Sequence, residues 1–114
     1  MNLFSIPQEY SSIIKSVDTI RYITTEHISK LQAKVILIDA SILRIREVYL
    51  KNELIAYSYY WLRDDNSLIM GWDNAPHHKE IKSFPHHRHL KNSVEQSNEQ
   101  NLQEVLNFIK DFLN

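Results

Sequence analysis

The stretch that most limits what this chain can become runs from Ile42 to Leu62. In an extended chain successive side chains alternate, so Leu43, Ile45 and Tyr49 fall on one side of the first half and Arg44, Arg46 and Val48 on the other. Lys51-Asn52-Glu53 supplies a hairpin turn, after which Leu54 to Leu62 resumes the β pattern with Tyr57, Tyr59, Tyr60 and Trp61. Similar β-favouring residues flank this hairpin. They occupy Ile20 to Ile28, Val35 to Ile38, and Leu68 to Trp72 beyond the turn residues Asp64-Asp65-Asn66-Ser67.

The two ends carry helical spacing. Ser5, Pro7 and Gln8 have the chemistry of a helix start, and Ile6, Tyr10, Ile13, Ile14 and Val17 predict a helix over 6–17. At the other end Ser97 with Gln100 forms a capping box, and Leu102, Val105, Leu106, Ile109, Phe112 and Leu113 make a wide apolar stripe that needs a surface to cover. The expectation is an α+β fold with an N-terminal helix, an antiparallel β-meander of about five strands, a His-rich loop, and a C-terminal helix packed on the sheet. A length of 114 residues fits one domain, residues 1–114. With no cysteine, disulfides and thiolate metal sites are excluded. No window resembles a membrane span, and Met1 to Ser5 does not read as a secretory leader, so a cytoplasmic location is expected.

The least even feature of the chain follows the last β stretch. Asp73-Asn74-Ala75-Pro76-His77-His78 and Pro85-His86-His87-Arg88-His89-Leu90 hold five of the six histidines. Each proline stiffens the approach to a His-His pair. Residues 75–92 also carry Lys79, Lys82, Arg88 and Lys91 against Glu80 alone, which aims an electropositive segment at an anionic partner, nucleic acid or an acidic protein. Residues 75–101 lack periodicity and read as a long loop, with Ser93 to Gln100 a polar spacer.

Imidazoles titrate near neutral pH, so neighbouring histidines can divide the work of general base and general acid. Metal-independent cleavage of RNA needs that pair and cations for the developing phosphorane charge. His77, His78, His86, His87 and His89 are the candidate catalytic histidines, with Asp73 to orient an imidazole. Adjacent histidines face opposite ways when extended, so at most one of each pair is expected to do chemistry. Lys79, Lys82, Arg88 and Lys91 are candidate phosphate contacts, and Tyr57 and Tyr59 candidate platforms for an unpaired base, the alternative for the tyrosines being ordinary packing. Asn74, Pro76 and Pro85 shape the motif's turns. Lone His27 reads as a surface residue, and Glu47 is open between a sheet-face ion pair and a second acid or base. No cofactor is expected, because the spacing matches no zinc motif. The alternative is a metal held by His87, His89, His77 and Asp73.

Tyr57-Ser58-Tyr59-Tyr60, Trp72 to His78 and Ser83 to Leu90, in this order and spacing, resemble the TumE family of small bacterial and archaeal toxins encoded beside a TumA-type antitoxin. The resemblance covers roughly Arg44 to Leu90. Its signature maps onto Tyr57, Tyr59, Asp73, Asn74, Pro76, His77, His78, Pro85, His86, His87 and His89. The chain departs from the pattern in two places. Gly71-Trp72 stands where the family has a basic residue and tyrosine, and Tyr60 where it often has histidine. The resemblance implies the toxin of a type II toxin–antitoxin module, neutralised by a cognate antitoxin protein. From the histidines the expected activity is a metal-independent ribonuclease, with RNA as partner, no membrane, and a homodimer as one possible assembly. A non-enzymatic RNA, ribosome or protein binder and a metal-dependent hydrolase or metal-stabilised domain are the alternatives.

Overall fold

A computed structural model describes residues 8–113. After a single 3-10 turn at Gln8–Tyr10 come seven strands, β1 Ile14–Thr24, β2 Ile28–Leu37, β3 Ile42–Leu50, β4 Glu53–Leu62, β5 Leu68–Asp73, β6 His87–Leu90 and β7 Ser93–Gln96, and one helix, α1 Leu102–Leu113. The strands form one antiparallel sheet in which spatial order follows chain order from β1 to β7.

The expected N-terminal helix is corrected. Its first residues, through Pro7, lie outside the described residues, but Ile14 and Val17 belong to β1. The reason is local. Register shifts between Ile14 and Ser16 and between Val17 and Thr19 each break the strict alternation of β1. They bring Ile14, Val17 and Ile20 onto one side, opposite Leu37, Val35 and Ala33 of β2. A bulged strand thus reproduces the three-residue spacing of a helix.

The central hairpin forms as its pattern dictates. Leu50 pairs with Glu53 across Lys51 and Asn52, both of which have positive φ, as a two-residue turn matched to strand twist requires. Leu43, Ile45, Tyr57, Tyr59 and Trp61 are buried on one side of the sheet, where α1 lies. From the helix, Leu102, Val105, Leu106 and Ile109 are buried, while Phe108 and Phe112 meet Trp61 edge-on with ring centres 6.5 and 5.0 Å away. Phe108 also meets Trp72 at 5.3 Å. The helix start differs from the expected capping box. Asn101 Oδ1 accepts from the Glu104 N–H at 2.9 Å, whereas Ser97 N–H donates to Ser83 Oγ and Gln100 N–H to the Tyr57 hydroxyl. No described helix is long and apolar enough to cross a membrane.

The second correction concerns residues 75–101. They do not form one long loop, because β6 and β7 extend the sheet beyond β5 and Ser93 to Gln96 is a strand rather than a spacer. The helix covers one face of the sheet. The histidines of β6 lie on the other.

Candidate active site

Register decides which side chains meet. On the face away from α1, Ser58 of β4 pairs with Asp73 of β5, which pairs with His87 of β6, and alongside them Tyr60, Gly71 and His89 form the next row. Asp73 therefore stands in a strand between two elements that aim polar groups at it. His87 Nε2 lies 2.7 Å from Asp73 Oδ1, and His89 Nε2 lies 3.1 Å from Oδ2. The Tyr60 hydroxyl donates to Oδ2, and the Ala75 N–H donates to Oδ1 at 3.0 Å. The carboxylate is thereby saturated with donors while only 6% exposed, the condition under which a buried charge is tolerated.

The partners also order the protons. His87 Nδ1 is 2.9 Å from the Pro85 carbonyl, which only accepts, so that nitrogen carries hydrogen. Its other nitrogen makes the short contact to Asp73. His89 differs. Its Nε2–H donates to Asp73, leaving Nδ1 with the free lone pair. Burial lowers the His89 pKa from the ordinary histidine value, with the Asp73 charge opposing and the neighbouring His87 and His78 charges reinforcing the shift. Neutral His89 is the favoured form.

His78 completes the group, its ring centre 4.9 Å from that of His87 and 5.6 Å from that of His89. Its Nδ1 reaches Glu80 Oε1 at 3.3 Å. These side chains open into a pocket of about 850 Å³ that is also lined by Arg46, Tyr60, His77 and Phe84. The donor set fits a divalent metal in kind. One nitrogen from each of His78, His87 and His89 lies within 4.8 Å of the others, and the carbonyl behind His87 is the sort of outer partner that fixes a ligand's tautomer.

Each His-His pair divides. His87 contacts Asp73 and His78 packs against the rings of His87 and His89, while His77 is exposed at the pocket rim and His86 lies elsewhere, its Nδ1 2.8 Å from the Tyr57 hydroxyl and its ring stacked on Tyr57 at 5.8 Å. Among the metal ligands expected from spacing, His78 takes the place assigned to His77.

Three further expectations are corrected. Tyr57 and Tyr59 cannot serve as exposed base platforms, because they are 4% and 0% exposed beneath the helix side of the sheet and stack on each other at 5.4 Å. Arg88 is not a free phosphate contact. The alternation that aligns His87 with His89 sends Arg88 to the helix side, where it pairs with Glu95. Glu47 is neither a sheet-face ion pair nor a neighbour of the histidines, since its carboxylate accepts from the hydroxyls of Tyr59 at 2.6 Å and Tyr49 at 3.1 Å.

Lys79, Lys82 and Lys91 are exposed, and His27 is an exposed turn residue. Asn74 extends the sheet edge with its side chain, Oδ1 accepting from Tyr57 N–H and Nδ2 donating to the Ile55 carbonyl, both at 3.0 Å. Pro76 and Pro85 flank the pocket. Reading the sequence alone missed Tyr60 and Arg46 as pocket residues. The signal was present in the alternation of β3 and β4, which places both on the face away from Leu43 and Trp61. Gly71 marks a close approach between strands. It lies opposite Tyr60, and a Cβ there would sit 2.4 Å from the Tyr60 ring.

A single antiparallel sheet, helix-covered on one face and carrying a buried carboxylate with convergent imidazoles on the other, defines a small β-rich protein with a carboxylate–imidazole cluster. The family described as toxin TumE matches residues 4–113, and the chain belongs to that family. It is thereby the toxin component of a toxin–antitoxin pair, which implies an antitoxin partner. No curated protein and no solved structure matches the chain. Of the residues that depart from the expected pattern, Tyr60, Gly71 and Trp72, the first two face each other across β4 and β5.

Proposed function

We propose that this toxin arrests growth by cleaving RNA in the cytoplasm without a metal, and that Asp73, His78, His87 and His89 carry the chemistry. The observation that supports this most is the Asp73 carboxylate clamped between His87 and His89 at 2.7 and 3.1 Å, with His78 beside them, at the floor of an open pocket. His89 Nδ1 takes the proton of a 2'-hydroxyl. The 2'-oxygen attacks phosphorus, the bond to the 5'-oxygen breaks, and that oxygen takes a proton from His78. The products are a 2',3'-cyclic phosphate and a 5'-hydroxyl end.

Asp73 positions His89 with the acceptor nitrogen free, and His87 and Tyr60 position Asp73. The Arg46 guanidinium at the pocket wall supplies charge for the phosphorane. A second reading is favoured by the convergence of three imidazoles within 4.8 Å. A metal held there would act as Lewis acid in the same pocket.

The test is inducible expression of wild type and His89→Gln at equal, folded levels. The proposal expects arrest with new RNA fragments in the first and neither in the second. Arrest by His89→Gln with intact RNA would leave a non-enzymatic inhibitor instead.

A further inference from the structure

The sheet face that holds the histidines continues across three more strands, and five of its side chains there are basic. Following the pairing from the site, His87, Asp73 and Ser58 lead to Arg46 on β3, Gln32 on β2 and Arg21 on β1. The neighbouring row leads from His89, Gly71 and Tyr60 to Arg44 and Lys34. Lys30 stands one row further, opposite Val48. Thus Arg21, Lys30, Lys34, Arg44 and Arg46 share the face with the cluster, whereas Glu47, Arg88 and Glu95 lie on the helix side.

Two details argue that this charge is not there for the fold. Lys34 and Arg44 are directly opposite in the ladder, an arrangement that costs stability when like charges meet. Lys34 has one carboxylate near, Asp18 at 3.7 Å, but Arg21, Lys30, Arg44 and Arg46 have no ion pair among the described residues. Arginines and lysines left unpaired beside one another form a surface that an outside anion would stabilise. Arg46 links this surface to the site, since it also lines the pocket.

We propose that the open face of β1 to β3 is the track along which this toxin grips the phosphates of a single-stranded RNA, with the strand running from Arg21 through Arg44 and Arg46 to the scissile phosphate at Asp73. This rests on the reading of the histidine cluster as a site for RNA and adds where the strand lies. Strands are spaced about 4.8 Å, so Arg46 stands about 10 Å and Arg21 about 19 Å from Asp73, the span of several nucleotides rather than one. The basic stripe, not the lysines of residues 75–92, is then the main source of affinity. A run of charges with no aromatic residue beside it on this face of β1 to β3 gives affinity with little sequence preference.

The experiment measures binding of a fluorescent single-stranded oligoribonucleotide to full-length His89→Gln protein, which removes cleavage from the readout, over a salt series. Arg44→Gln with Arg46→Gln should weaken binding about 10- to 30-fold near 0.1 M salt and reduce the slope of log affinity against log salt by about 1.4. Arg21→Gln with Lys30→Gln should act in the same direction, and Lys110→Gln on the helix should do neither. All are exposed or partly exposed, so a melting temperature no lower than that of the parent verifies folding. Equal affinity and slope in the arginine variants would overturn the track, even if wild-type protein cleaves RNA. No oligonucleotide binding, with the basic face instead required for binding an acidic protein, would overturn it as well. Loss of cleavage in His89→Gln with normal binding speaks to the catalytic reading alone.

Discussion

Replacing Gly71 by alanine tests how the site is assembled. The added Cβ would lie 2.4 Å from both Cδ1 and Cε1 of Tyr60, directly across the ladder. Ordinary carbon contacts need about 3.5 Å, so the ring must retreat by about 1 Å, enough to carry its hydroxyl off Asp73. The change therefore combines overpacking with loss of a hydrogen bond to a charged group. Together these should cost about 2–4 kcal/mol, or roughly 8–17 °C in melting temperature.

The assay is a double-mutant cycle in urea. In a Tyr60→Ala background the obstructing ring is gone, and Gly71→Ala should cost less than about 0.5 kcal/mol or become favourable, since glycine inside a strand is itself a weakness. A penalty of the same size in both backgrounds would refute the reasoning that Gly71 exists to seat Tyr60.

Other outcomes follow from the same geometry. Ile109→Ala, which empties a fully buried position under α1, should lower stability by about 2–5 kcal/mol in urea unfolding. Because burial lowers the His89 pKa, the unfolded chain binds its proton first as pH falls below 6.5. This group's contribution to stability is thus complete above that value and is lost as pH falls toward the lowered folded pKa, and His89→Gln should flatten that part of a melting-temperature profile. The acid limb of RNA cleavage should likewise fall below pH 6.5, because neutral His89 is the base. Prolonged chelation should leave cleavage and melting temperature unchanged, whereas loss of both would favour the metal reading.

Much of the sheet was legible because β3 and β4 alternate cleanly and meet at a turn built for positive φ. The C-terminal stripe likewise announced a helix with a sheet beneath it. What failed had specific causes. The register shifts of β1 gave a strand the apolar spacing of a helix. β6 and β7 are four residues each with a single apolar residue apiece, Leu90 and Val94, so no hydrophobic period marked them. Their existence depends on the open edge of β5, which is information from elsewhere in the chain.

The site was legible as a set of residues but not as an arrangement. Asp73 and the histidines stood out by clustering, and alternation already aligned His87 with His89. Which histidine of each pair joins the cluster depends on pairing between strands and on the backbone around Pro85. Tyr57 and Tyr59 carried no sign of the face they take except the company of Trp61, which shares it. The basic face was hidden for a related reason: Arg21, Lys34, Arg44 and Arg46 are scattered in sequence and become neighbours only in the ladder.

The most direct measurement of the central claim is end-group analysis of a labelled single-stranded RNA incubated with purified protein, comparing wild type, His89→Gln and the double variant His77→Gln, His86→Gln. The account predicts 2',3'-cyclic phosphate and 5'-hydroxyl ends from wild type, a loss of at least 100-fold in rate for His89→Gln, and a much smaller change for the double variant, whose histidines lie outside the Asp73 cluster. Cleavage that survives His89→Gln but disappears in the double variant would contradict the assignment of the site. Intact RNA with active, growth-arresting wild-type protein would contradict the chemistry itself.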